Sequence, residues 1–143
     1  MNNIEIYFED VEEVNIFEKV LHLHLNSLIK KELKKIGDIS IVFCSDAYLL
    51  EMNKQYLQHD YYTDIITFDY VEDDVVSGDL FISMDRIKDN AQKFDSKFIH
   101  ELYRVAFHGV LHLVGYKDKT EEEQKQMRAK ENHYLSEVDF SEM

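Results

Sequence analysis

Apolar residues recur along this chain in two rhythms, and the rhythms divide it into elements. Ile4 to Phe8 alternates (Ile-Glu-Ile-Tyr-Phe) and predicts a first strand. Between Glu12 and Ile36 the apolar positions are Val14, Phe17, Leu21, Leu25, Leu28, Ile29, Leu33 and Ile36. Their three- and four-residue steps predict a long amphipathic helix, with Gly37 as its stop. Ile39 to Phe43 predicts a strand, and Ser45-Asp46 can cap a helix over Ala47 to Tyr56. Leu57 to Asp64 is polar and aromatic and predicts a loop. Ile65 to Val71 is β-branched and aromatic, hence strand. A turn through Glu72 to Gly78 leads to a last strand, Asp79 to Ser83, so these two strands should form a hairpin. Arg86 to Phe94 predicts a helix. Phe98 to Val114 predicts another, apolar nearly all round from Val105 onward, and such a helix is buried. Thr120 and Glu123 form a capping box that opens a last helix, with Met127, Tyr134, Leu135 and Val138 on one side. Neither repeats nor a linker interrupt the pattern, so residues 1–143 read as one domain.

Composition narrows the class. The chain has 143 residues, 45% of them hydrophobic and 13% aromatic, which suits a globule with a core of its own. No apolar run approaches the roughly 18 residues of a membrane helix. The first residues are acidic and resemble neither a secretory signal nor a basic transit peptide. The one cysteine, Cys44, excludes an intramolecular disulfide and should simply pack. A cytoplasmic protein is expected. The formal net charge of −13 argues against a general polyanion binder. A nucleic-acid role would need a local basic patch, a metal ion or a partner. Lys30, Lys31, Lys34 and Lys35 can be read as compensation of a helix dipole or as a patch for phosphates.

The chemistry concentrates in the buried helix. His108 and His112 stand four residues apart, which stacks both imidazoles on one helix face about one turn apart. Gly115 stands where the helix should end, and a left-handed glycine can reverse the chain there. Asp118 follows three residues later, close enough to fold back. Gly109 lies inside the helix at a cost of about 1 kcal/mol against alanine, which points to close approach of another group. Two imidazoles, a carboxylate and a position left for water make up a catalytic zinc site. The plainer alternative is a pair of core histidines bonded to carbonyls, with Asp118 on the surface. Burial favours metal, because unpaired imidazoles in an apolar helix are costly. A His-Glu-x-x-His metalloprotease carries its general base at the position of Gly109, so that mechanism cannot be copied. A metal here could still lower the pKa of bound water to about 7. The residues assign no general base.

The block His108-Gly109-Val110-Leu111-His112-Leu113-Val114-Gly115-Tyr116 resembles the signature of the YbeY family, bacterial endoribonucleases and rRNA maturation factors. Asn53 to Tyr56 with Thr63 to Phe68, and Gly78 to Ser83, are similar to two further blocks of that family, in the same order. The resemblance implies a small α+β fold, a mixed four-stranded sheet packed with about five helices around the helix that carries the histidines. It implies one zinc per chain on three side chains, here His108, His112 and Asp118. It implies cleavage of single-stranded RNA, in 16S rRNA 3′-end maturation and ribosome quality control. The expected partners are rRNA and the small ribosomal subunit or its assembly factors, with no DNA and no membrane.

Three positions depart from the family pattern. Asp118 stands where the family usually carries a third histidine, Leu57 where it has an arginine linked to cleavage, and Tyr62 where it has proline. A phosphodiester transition state needs positive charge, and Lys54, Arg104 or Lys117 could replace the arginine. Thr63, Asp64 and Asp79 are candidates to shape the site, although Asp64 could equally cap a turn and Asp79 belong to the hairpin. His59 is a proton carrier or simply exposed. Tyr56, Tyr61 and Tyr62 either stack on unpaired bases or cover the edge of the core. Two other readings stay open: a ribosome-assembly binding protein whose zinc is mainly structural, and a metal-dependent hydrolase of a non-nucleic substrate such as a peptide. Gly109 counts against the second.

Overall fold

A computed structural model describes residues 3–57 and 63–143. The elements run β1 (Ile4–Glu9), α1 (Glu18–Lys31), β2 (Lys35–Cys44), α2 (Asp46–Leu57), β3 (Ile65–Asp69), β4 (Val75–Ser83), α3 (Met84–Lys93), α4 (Phe98–Val114) and α5 (Glu121–Ser136). The strands form one four-stranded sheet in the order β1-β2-β4-β3. β1, β2 and β4 are parallel, and β3 returns antiparallel to β4 as the expected hairpin. The architecture is the mixed α+β one.

Alternation along the strands gives the sheet two unequal faces. Ile39, Ile41 and Phe43 of β2 and Val76, Leu80 and Ile82 of β4 meet α1 and α4 in the main core. The opposite face carries only a small cluster under α2, where Cys44, Leu49 and Ile66 are buried beside Tyr48, Met52, Phe68 and Phe81. Cys44 is a packing residue. Its thiol donates to the Ile82 carbonyl, and burial with nearby carboxylates pushes its pKa up to about 12.

α4 and α5 fall where periodicity puts them, and the Thr120–Glu123 capping box is complete. Ser45 caps α2 by accepting the Tyr48 N–H. Other boundaries move. α1 covers only the middle of the stretch from Glu12 to Ile36. It begins after Phe17, left-handed at φ 56°, and ends before Leu33, at φ 62°. Leu33 is 88% exposed, while Ile36 and Gly37 belong to β2. The local period is overridden because Lys35 and Ile36 pair with Val75 and Val76 in the sheet, and the chain must turn before it can reach them. Gly37 therefore does not stop the helix. It sits at an irregularity of the β2–β4 ladder, where a side chain would collide with Ser77. β4 likewise begins at Val75, so Gly78 lies inside the strand rather than in the turn. α3 starts at Met84 with Ser83 as its cap, two residues before Arg86, and stops at Lys93. Among the described residues, no helix is long and apolar enough to cross a membrane.

Candidate metal centre

α4 is the helix the rest of the fold encloses. Eleven of its residues are buried, from Ile99 to Leu113. Gly109 lies against the sheet, where a Cβ would stand 2.8 Å from Ile65 and 2.9 Å from Leu80. The close approach expected of that glycine is to β3 and β4, and it turns His108 and His112 toward α5 and the turn that follows. Gly115, at φ 125°, ends the helix: its N–H and that of Tyr116 both reach the Leu111 carbonyl, at 3.1 and 3.0 Å. The reversed chain brings Asp118 back over the two rings.

The result is a small triangle of donor atoms. His108 Nε2 and His112 Nε2 are 3.1 Å apart, and Asp118 Oδ2 lies 3.2 and 3.3 Å from them. Both Nδ1 atoms face acceptors. His108 Nδ1 is 2.7 Å from a Glu131 oxygen, and His112 Nδ1 is 3.0 Å from the Tyr116 carbonyl. With each Nδ1 donating its proton, both Nε2 atoms present lone pairs to each other and to a carboxylate oxygen. That arrangement is repulsive unless a proton or a metal ion lies between them. Donors in a tetrahedron around an ion at 2.0–2.1 Å would stand about 3.3–3.4 Å apart, close to the edges of this triangle. The three residues fit a metal ion.

Glu131 is the residue the sequence reading missed. It is 5% exposed and accepts from both His108 and Arg104 Nη1, the latter at 3.0 Å. Metal-bound histidines usually have such a carboxylate behind them, fixing tautomer and orientation. Its signal was available: Glu131 falls on the apolar side of α5, one turn after Met127 and just before Tyr134 and Leu135. Burial works against the Glu131 carboxylate, but His108 and Arg104 outweigh it and lower its pKa. Burial also works against the His108 imidazolium; the bond to Glu131 and the charges of Glu131, Asp118 and Asp64 outweigh it and raise that pKa.

A second carboxylate holds the turn. Glu32, just past α1, accepts from the Tyr116 hydroxyl at 2.6 Å, from Lys130 at 3.0 Å and from the Tyr134 hydroxyl. The same Tyr116 carries the carbonyl that orients His112. Burial of Glu32 is outweighed by these donors, and its pKa is lowered.

The remaining candidates separate by position. Asp64 lies near enough for its charge to act on His108, and both line one cavity with Arg104 and Glu101. Thr63 bonds within its own segment, to the Ile65 carbonyl. Arg104 is engaged by Glu131 and Glu101, so it acts through Glu131 and is not a free cation at the triangle. Lys117 lines a different cavity, with Glu32, Tyr116 and Glu123. Asp79 lies elsewhere: strand parity turns Gly78 and Leu80 toward α4 but Asp79 toward the α2 face, away from the histidines. Lys54 and Tyr56 are exposed on α2, and Tyr56 stands edge-on to Phe68. His59, Tyr61 and Tyr62, and the side chain of Leu57, lie outside the described residues.

Fold and site define a small α+β protein whose central helix and following turn bring together a His-His-Asp set able to hold a metal ion. The family model described as Endoribonuclease YbeY matches residues 2–139. A Parabacteroides distasonis protein named Endoribonuclease YbeY is 47% identical over 133 residues, 93% of this chain and 94% of its own. One of the same name from Cytophaga hutchinsonii is 57% identical over 113 residues, 78% of this chain and 79% of its own. The solution structure of TM1509 from Thermotoga maritima matches with a TM-score of 0.69 at 30% identity, covering 93% of this chain and 87% of that one. The chain belongs to the YbeY family.

Proposed function

We propose that this protein is a zinc-dependent endoribonuclease of single-stranded RNA, acting in 16S rRNA 3′-end maturation and ribosome quality control. Its relatives' names supply the activity class. What carries the metal dependence is the triangle of His108, His112 and Asp118, with both Nδ1 atoms already committed to acceptors. Zinc suits the donor set, two imidazoles and one carboxylate. When bound, the ion supplies Lewis acidity toward a phosphate oxygen or a water. The protein's own groups do the rest. Glu131 and the Tyr116 carbonyl hold each imidazole in the tautomer that leaves Nε2 free. His108 and Arg104 together keep Glu131 ionised. Asp64 places a carboxylate beside the same site.

The test has two stages. Purified protein should contain about one zinc per chain, lost in His108→Ala. It should then cleave unstructured RNA in a metal-dependent way, and His112→Ala should not. Absence of metal from both proteins after zinc reconstitution would return the histidines to the core.

Leu57, at the position of the family's arginine, favours a second reading: a ribosome-assembly binding protein with a mainly structural zinc. That reading is supported if a deletion strain accumulates immature 16S rRNA while the purified protein binds zinc but cleaves nothing. The cytoplasm is the compartment both readings require.

A further inference from the structure

The net charge of −13 leaves this chain with few places to hold a polyanion. One groove, of about 730 Å³, starts at two of the three candidate ligands, His108 and Asp118, and runs along α5. Its α5 wall is a single helical face: Glu121, Gln124, Lys125, Arg128 and Asn132 recur at three- and four-residue steps. The adjoining face of α5 is buried through Met127, Glu131, Tyr134 and Leu135, and Met127 and Glu131 form the inner edge of the groove. The groove residues Gln124, Lys125, Arg128 and Asn132 are all exposed, so their polar ends stand in solvent at the rim of a groove that Met127 and Ala129 also line.

The charges in this groove are not equally available. Asp118 faces the two histidines, and Glu131 is engaged by His108 and Arg104. Arg128 lies 3.5 Å from Glu131 but keeps its side chain 61% exposed, and Lys125 is exposed. Glu121 is the one carboxylate of the groove outside those pairings.

We infer that the α5 face formed by Gln124, Lys125, Arg128 and Asn132 is the track along which single-stranded RNA leaves the metal centre. Lys125 and Arg128 contact successive phosphates. Gln124 and Asn132 offer amide donors and acceptors to sugars or base edges, as single-strand recognition uses. This rests on the reading of the protein as an RNA enzyme. It supplies, from α5, the positive charge that Leu57 removes from the end of α2.

Binding separates this from catalysis. The probe is a fluorescent, 2′-O-methylated single-stranded oligonucleotide of about 12 nucleotides, which fits common site sizes, and its integrity is checked by gel after each measurement. Its affinity for zinc-loaded protein is measured by anisotropy as salt rises. Each phosphate contact contributes about 0.7 to the slope of log affinity against log salt, so K125A/R128A should be shallower by about 1.4. That is about sevenfold less loss of affinity between 50 and 200 mM salt. Arg128→Lys, which keeps the charge, should hold the wild-type slope. Neutralising Glu121 with Glu121→Gln should tighten binding. The control is K19A/K88A, which makes the same change of net charge at exposed lysines on α1 and α3. It should leave the slope unchanged, and zinc content should be equal in all variants. A wild-type slope in K125A/R128A overturns the inference, and so does an equal loss in the control, which would assign the effect to overall charge. A wild-type protein that neither binds the probe nor cleaves RNA overturns the enzyme reading and this inference with it.

Discussion

On the α4 side of the sheet, His108, His112, Arg104 and Tyr116 each meet a designated acceptor, and Gly109 is pressed onto two strands. On the α2 side, Tyr56 and Tyr70 stand exposed over an open groove of about 600 Å³ whose floor is Phe68 and Phe81. The difference is one of tolerance. A metal centre needs donor atoms held to a fraction of an ångström, and here the buried α4, with Glu131 behind His108 and the Tyr116 carbonyl behind His112, supplies that. Among the described residues the looser face carries apolar area but no converging set of donors, so it can change more freely.

This contrast gives an order of expected effects. The largest is at the triangle: Asp118→Ala should lose most of its zinc, read by elemental analysis. Equal occupancy in mutant and wild type would remove Asp118 from the ligand set. Asp118→His, which places the family's usual residue there, should retain it. Next comes Glu131. Glu131→Ala leaves Arg104 and His108 without their buried acceptor and should cost about 3–5 kcal/mol in denaturant unfolding. Glu131→Gln should fold better but weaken zinc binding about 10- to 100-fold in a chelator competition.

Packing of α4 on the sheet is the third level. A Cβ at Gly78 would stand 2.6 Å from the Phe68 carbonyl and 2.8 Å from Leu113, so Gly78→Ala should cost about 1–3 kcal/mol. Gly109→Ala meets only the ends of Ile65 and Leu80 side chains and gains helix propensity, so its loss should be the smaller of the two.

The pH dependence isolates the Glu32 clamp. The folded pKa of Glu32 is lowered, so its contribution to stability is present above the ordinary glutamate value. It is lost as pH falls through the lowered folded value. Glu32→Gln should therefore flatten that part of the acid limb in thermal melts taken across the window. An unchanged acid limb would show that Tyr116, Tyr134 and Lys130 hold the turn without it. The smallest effect belongs to the α2 face: Tyr56→Ala should shift stability by less than about 1 kcal/mol, because that ring is 64% exposed.

Much of the site is legible in the sequence alone. His108 and His112 share a helix face because 3.6 residues make a turn, and Gly115 announces the reversal that returns Asp118. Glu131 was legible in principle, as a carboxylate on an apolar helix face, but its partner lies 23 residues away on another helix. Glu32 gave no local signal at all. Its donors come from Tyr116, Lys130 and Tyr134, and its own neighbours read as the end of a lysine-rich helix.

The sequence by itself determined the elements whose cause is local. α4 and α5 fall where periodicity and capping put them, and β3 and β4 form the expected hairpin. The spacing of His108, His112 and Asp118, the group that could hold a metal ion, is also written there, since it depends only on helix pitch and one turn. Tertiary structure decided what depends on distant pairing. Ile36 and Gly37 left the helical period because strand β4 claimed them, a competition that sheet hydrogen bonds win over the weak preference of a few helical residues. Asp79 went to the far face because Gly78 and Leu80 were needed under α4. The same packing selected Glu131, the only carboxylate on the buried side of α5 within reach of His108.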